Sequence, residues 1–153
     1  MVIGVISDTH GLLRPEVFDA LAGVELILHA GDVGGHSILV ELAAIAPVKA
    51  VFGNCDPPGE PGLAAALDFD IEGHSIHVSH GHELGHPNPD KLLARYKADV
   101  IVFGHTHKPL MERAGRRLVL NPGAAGPRRF DLRPSVARMT VESTDVSAQV
   151  IRL

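Results

Sequence analysis

The sequence predicts an α/β fold of two facing β-sheets flanked by helices, and three observations carry that prediction. The first half of the chain repeats an apolar run, a glycine-containing polar turn and a helical segment, the rhythm of a largely parallel sheet covered by helices. The second half has more strand-like runs and fewer helical ones. The runs amount to about nine or ten strands, more than one compact sheet usually holds, so two sheets must share them.

Taken in order, residues 2–7 form a near-continuous apolar run that ends at Asp8-Thr9-His10-Gly11. Residues 15–21 follow as a helix with proline near its first turn. The run at 25–30 ends at Gly31-Asp32, and residues 37–44 read as a helix. The run at 48–52 ends at Gly53-Asn54-Cys55-Asp56. Strands at 67–71 and 75–79 bracket a turn at Glu72-Gly73-His74. Residues 89–96 read as a helix and 100–103 as a buried strand. Strands at 117–120, 136–141 and 146–153 complete the pattern, the last two as a hairpin. With no linker, repeat or low-complexity segment between these elements, a single domain spanning 1–153 is expected.

Composition narrows the function classes. An apolar content of 45% over 153 residues permits a core without staples and excludes disorder. The single cysteine, Cys55, excludes an internal disulfide framework and fits a reducing compartment. No apolar run approaches the roughly 20 residues of a membrane helix. The first residues lack the basic-then-apolar pattern of an export signal. A cytoplasmic protein with no membrane partner is expected. A net charge of −4 without a basic block argues against duplex nucleic acid as a partner. Small anionic substrates remain, because metal ions supply positive charge locally. Ten histidines stand beside one tyrosine and no tryptophan, so their positions decide the matter.

Those positions are not scattered. Asp8 and His10 follow the first run, Asp32 the second and Asn54 the third; His80 follows 75–79, and His105 and His107 follow 100–103. Ligand sites in α/β sheets gather beyond the carboxyl ends of strands, so these loops can converge. Residues two apart in an extended loop project to the same side, which pairs Asp8 with His10 and His105 with His107. Carboxylate, amide oxygen and imidazole suit borderline-hard divalent ions. Seven such groups exceed the needs of one four-coordinate zinc. Two ions sharing a carboxylate use them economically, and Asp32 is the natural bridge, its two oxygens reaching ions roughly 4 Å apart.

The segments Asp8-Thr9-His10, Gly31-Asp32, Gly53-Asn54-Cys55-Asp56, Ser79-His80-Gly81-His82 and Gly104-His105-Thr106-His107 resemble the five motifs of the calcineurin-like metallophosphoesterase superfamily. The likeness is nearest to its small single-domain bacterial and archaeal phosphodiesterases. It implies a four-layer sandwich, with two mixed sheets face to face and helices outside. It also implies that Asp8, His10, Asp32 and His107 hold one divalent ion, and that Asp32, Asn54, His80 and His105 hold the other. Manganese is the expected metal, with nickel, iron, cobalt or zinc as alternatives. The reaction expected is hydrolysis of a small phosphodiester, or another phosphate ester, by a metal-bridging hydroxide. Asn54 can orient a phosphoryl oxygen through its amide, and His10 and His82 can stabilise the added charge. Self-association of the chain is left open.

Two departures from the pattern stand out. Most of the superfamily has histidine where this chain has Cys55, although the small-phosphodiesterase branch commonly carries cysteine. Asn121-Pro122-Gly123-Ala124 ends in alanine where that branch usually has serine, at the cost of one hydrogen bond near the site.

Competing readings fare worse. His82-Glu83-Leu84-Gly85-His86 matches the zinc-protease pattern, which works only on a helix; Gly85 and Pro87 oppose one there. Cys55 lacks a base of its own and reads as a pocket-lining residue. His29, inside an apolar strand, reads as structural, and His36, His74 and His77 have no partner that singles them out. His86 reads as a surface residue. Arg128 and Arg129 are read as able to steer a phosphate or as solvated surface arginines. A protein phosphatase is disfavoured because no arginine follows Gly31-Asp32 closely. A protein-binding scaffold on this fold, as in a related retromer subunit, would have lost key ligands.

Overall fold

The computed structural model describes residues 1–129 and 131–153. The first half contains β1 (Val2–Ile6), α1 (Glu16–Ala20), β2 (Leu26–His29), α2 (His36–Leu42), β3 (Val48–Val51) and the short β4 (Leu63–Ala64). The second contains β5 (Leu67–Ile71), β6 (His74–Val78), a 3-10 turn at His82–Leu84, α3 (Pro89–Arg95) and β7 (Val100–Val102). It closes with β8 (Leu110–Ala114), β9 (Arg117–Asn121), β10 (Ser135–Val141) and β11 (Val146–Arg152).

The strands form two mixed sheets, six-stranded in the order β11-β10-β1-β2-β3-β4 and five-stranded in the order β5-β6-β7-β9-β8. The first four strands run parallel, while β10 pairs antiparallel with β1 and β11 closes the expected hairpin. In the second sheet β6, β7 and β9 are parallel and the two edges are antiparallel. Two strands exceed the sequence expectation. β4 is only two residues long. β8 is an edge strand whose Met111, Glu112 and Arg113 are all exposed, so it lacks the alternation that marks a half-buried strand. His74, expected in a turn, instead opens β6 opposite Ile71; the turn is Glu72 and Gly73, both at positive φ, as the tightest hairpins prefer.

Alternating side chains give each sheet two apolar faces. Ile3, Val5 and Leu28 meet Ile76, Val78, Val102 and Leu120 in the core between the sheets. On the other side of the first sheet, Ile27 and Ala50 pack under Val17, Leu21, Ile38 and Leu42. On the outer side of the second, Ile101 and Val119 pack with Leu92 of α3 and Phe103. The result is helix, sheet, sheet, helix in four layers, as expected. Gly4 permits close seating: a Cβ there would lie 3.1 Å from Leu21 Cδ2, just beyond α1. Among the described residues no helix is long and apolar enough to cross a membrane.

The loops after β1, β2, β3, β6 and β7 meet at one edge of the sandwich. Asp8 N–H donates to the Gly31 carbonyl at 2.9 Å, and Gly104 N–H donates to the His80 carbonyl at 3.0 Å. The 153-residue chain thereby brings strand ends from both sheets to one patch.

Candidate metal centre

The backbone at this patch is unusual before any side chain is considered. Asp8, His10, Asp32, His105 and His107 all have positive φ, between 46° and 70°, and Glu72 is the only other non-glycine residue so placed among those described. Left-handed backbone is costly for residues with a Cβ and persists where the surroundings over-determine it, most often at functional sites. Neighbouring glycines make the close approaches. A Cβ on Gly53 would fall 2.1 Å from Asp32 Oδ1, and one on Gly104 would fall 2.1 Å from Ser7 Oγ and 2.8 Å from Asp8 Oδ2.

All seven residues expected to hold metal come together, four from the first sheet's loops and three from the second's. His107 Nε2 lies 3.3 Å from Asp8 Oδ1, and His10 Nε2 lies 3.7 Å from the same oxygen. Asp8, His10 and His107 therefore form one group with donor atoms within 4.8 Å of one another. His80 Nε2 lies 3.2 Å from Asp32 Oδ2 and 3.1 Å from Asn54 Oδ1, and His105 Nδ1 lies 3.1 Å from the same amide oxygen. These atoms make the second group. Asp32 Oδ2, 3.6 Å from His10 Nε2, stands between the two. The two-oxygen bridge expected from the sequence does not fit this arrangement. Oδ1 of Asp32 accepts the Cys55 N–H at 2.8 Å, so a single oxygen, Oδ2, faces both groups.

The donor chemistry fits cations. Among the described residues, three buried side-chain atoms have no hydrogen-bond partner: Asp8 Oδ1, His10 Nε2 and His82 Nδ1. The first two face each other across the first group, and a buried unpaired acceptor is costly unless something occupies its lone pairs. In the second group, His80 Nδ1–H donates to the Ala30 carbonyl at 2.7 Å. That bond occupies Nδ1 and leaves Nε2 facing two oxygens, a place that a proton or a metal cation can fill.

The same crowding moves the acidities. Burial opposes ionisation of Asp8, but the imidazoles of His10, His107 and His80 and the Ser7 hydroxyl hold it below the usual carboxylate range. Burial likewise opposes ionisation of Asp32, and its contact with His80 prevails and lowers it. Burial would lower His80, yet Asp32 and Asp8 raise it. His105 is lowered by burial and by its neighbour His80. Both carboxylates are thus ionised at neutral pH and ready to ligate.

Supporting residues that motif reasoning passed over hold these loops. Asp56, buried, accepts the N–H groups of Val33, Gly34 and Gly53, each at 3.0 Å, and so pins the loops on either side of Asp32. His29 is structural, as expected: Nδ1 accepts the Gly31 N–H at 3.1 Å, which makes Nε2–H the donor to Thr9 Oγ1 at 3.0 Å. Thr9 in turn donates to the Val33 carbonyl at 2.7 Å. Asn121 Nδ2 donates to the Gly104 carbonyl and to Thr106 Oγ1, tying down the loop of His105 and His107.

His77 contradicts the reading that it has no distinguishing partner. Its ring bridges Asp68 Oδ1 at 2.8 Å and Ser79 Oγ at 3.0 Å, and Tyr96 stacks on it with centroids 3.7 Å apart. Tyr96 O–H donates to Glu83, whose other oxygen accepts the Gly81 N–H at 2.9 Å. The chain of contacts braces the loop carrying His80 and His82.

The remaining candidates sort as follows. His82 lies at the site's edge, its ring centroid 5.4 Å from His80 and 6.4 Å from His105. The protease-like motif is a 3-10 turn that ends at Gly85, at φ 75°, so His82 and His86 share no helix face. Cys55 is exposed, with burial and the Asp32 carboxylate raising its thiol, which keeps it protonated and a weak nucleophile. His36 is exposed at the start of α2. Arg128 is exposed, while Arg129 lines a hollow with His105 and His107.

Comparison with known proteins finds relatives along nearly the whole chain. The model of the calcineurin-like phosphoesterase superfamily domain matches residues 1–144. A probable metallophosphoesterase of Methanothermobacter thermautotrophicus is 40% identical over 163 residues, covering 99% of this chain and 92% of its relative. The solved structure of an archaeal phosphodiesterase superposes with a TM-score of 0.77 at 25% identity, covering 99% of this chain and all of the other. Zinc-complexed Vps29 from Entamoeba histolytica superposes with a TM-score of 0.82 at 25% identity, covering 100% of this chain and 98% of the other.

Proposed function

Because the chain belongs to the calcineurin-like phosphoesterase superfamily, we propose that it is a metal-dependent phosphoesterase whose substrates are small phosphodiesters. The observation that carries this reading is the convergence of seven donors, with Asp8 Oδ1 and His10 Nε2 left unpartnered. Asp8, His10, Asp32 and His107 would hold one divalent ion, and Asp32, Asn54, His80 and His105 the other, with manganese expected first. The zinc in the Entamoeba relative's structure supports a divalent cation on this fold. Ions held by these residues would supply Lewis acidity and activate water near neutral pH.

The chain's own groups do the rest. Asp32 Oδ2 holds the two donor groups at fixed separation, because its other oxygen is locked on the Cys55 amide. Asn54 turns its oxygen to His80 and His105, which leaves its Nδ2, 3.6 Å from Cys55 Sγ, to orient a phosphoryl oxygen. His82, whose ring stands at the edge of the site 5.4 Å from that of His80, would stabilise the charge that builds on a phosphoryl oxygen. The presence of all seven donors favours an enzyme over a protein-binding scaffold on the same fold. The whole chain then works as one phosphoesterase domain.

The test strips the protein with a chelator and restores Mn²⁺, Ni²⁺ or Zn²⁺ separately, with assays on bis(p-nitrophenyl) phosphate and p-nitrophenyl phosphate. Diesterase activity should vanish and return with a transition metal. Asp32→Ala should lose both metal and rate, whereas His36→Ala should keep both. Full activity in excess chelator, with bound metal near zero, would overturn the reading.

A further inference from the structure

A cleft of about 430 Å³ opens beside the metal centre and shares His105 with it. Its lining joins residues 86–89, which run on from the last histidine of the protease-like motif, with Phe103, Thr106 and Leu110. The volume falls within the range of small-molecule sites.

The wall at 86–89 is rigid. Lys91 Nζ donates to the His86 carbonyl at 3.1 Å, and Asn88 caps α3 by accepting the Lys91 N–H at 2.9 Å, with Pro89 opening the helix. Pro87 is buried against the loop of His80: a Cβ on Gly81 would lie 3.0 Å from Pro87 Cγ. A preformed wall of two prolines loses little entropy when a ligand packs on it. The lining is chiefly apolar, and Lys108, exposed at the mouth, is its one charged side chain among the described residues. On the far side of His105, a smaller hollow is lined by Lys108 and Arg129. A cation therefore stands at both approaches.

We propose that this cleft receives one ester arm of the substrate, and that the preferred arm is a flat apolar alcohol carrying negative charge, met by Lys108. The assignment rests on the phosphoesterase reading and names the substrate class within it. A phosphorus held against His105 and Asn54 has the cleft beside it for one of its two arms. Cationic arms, such as a choline ester's, are disfavoured there.

The experiment uses the Mn²⁺-loaded full chain and two diesters with the same p-nitrophenolate leaving group. Their other arms are 4-carboxyphenyl and 4-(trimethylammonio)phenyl, which share a ring and differ in charge. At 0.15 M salt the carboxylate arm should be favoured in kcat/KM about threefold to tenfold, as for a solvent-exposed charge. Lys108→Glu should shift the ratio about tenfold toward the cationic arm, and calorimetric binding of both diesters should show the same shift. A ratio unchanged by Lys108→Glu, in rate and in binding, would overturn the cleft assignment while leaving the phosphoesterase reading intact. If neither diester is hydrolysed, that reading fails, and the binding ratio still decides whether Lys108 sorts the arms.

Discussion

Asp56 offers a sharp test of how the centre is built. Its carboxylate accepts three backbone N–H groups, two on Oδ2 from Val33 and Gly53 and one on Oδ1 from Gly34. A hydrogen bond to a charged group is worth about 1.5–3 kcal/mol, and an unmade buried one leaves its donor unsatisfied. In Asp56→Asn the amide oxygen can take the place of Oδ2 and keep two bonds. The NH₂ then faces the Gly34 N–H, donor against donor, and the loss should be about 2 kcal/mol. Asp56→Ala loses all three, and partial hydration of the exposed Gly34 limits the cost to about 4 kcal/mol. Urea unfolding of chelator-stripped protein reads both values, because unchanged slopes with shifted midpoints report stability alone. With slopes of about 1–3 kcal/mol/M, the Asn variant's midpoint should fall by roughly 1 M. An Asn variant within about 0.5 kcal/mol of the parent, or one equal to Ala, would refute the three-bond reasoning.

Two further outcomes are expected. Burial pushes His29 down from 6.5 to about 4, so the unfolded chain binds its proton more readily; this stability is full above pH 6.5 and lost as pH falls toward 4. Between pH 7 and 5 the loss should be about 2 kcal/mol, and stripped His29→Gln should lose about that much less than the parent; identical pH slopes in both proteins would contradict it. The Cys55 thiol accepts from the Asn54 amide at 3.6 Å and lies within 4.8 Å of donor atoms on His10 and Asp32, but burial and that carboxylate keep it protonated, so Cys55→Ser should keep the metal content and change the diester rate by less than about tenfold, or 1.4 kcal/mol of barrier. The comparison should include an alkyl diester, whose poor leaving group needs protonation; a thousandfold loss with metals retained would make the thiol a participant.

Sequence and structure agree best where the information is local. Each expected ligand directly follows an apolar run, so strand recognition and residue type together locate Asp8, His10, Asp32, Asn54, His80, His105 and His107. What stayed hidden depends on long-range contact. Asp56 reads as a turn acid until the 33–34 loop folds over it, and His77 gains meaning only when Asp68 and Tyr96 arrive on either side. The division of labour between the two oxygens of Asp32 is set by the Cys55 amide, which no side-chain pattern encodes. β8 escaped because an exposed edge strand need not alternate.

The meeting of four donors from one sheet with three from the other also makes the centre a seam. Ions seated there would tie position 8 to position 107 and position 32 to position 80, closing long chain loops much as cross-links do, in a protein whose single cysteine rules out an internal disulfide. Such ties loosen the unfolded ensemble's claim on the chain and act by mass action, so their strength follows the free metal concentration. Metal supply would then govern how long the fold survives as well as whether it turns over substrate. A cell short of the right ion would hold a protein that is both silent and easier to clear.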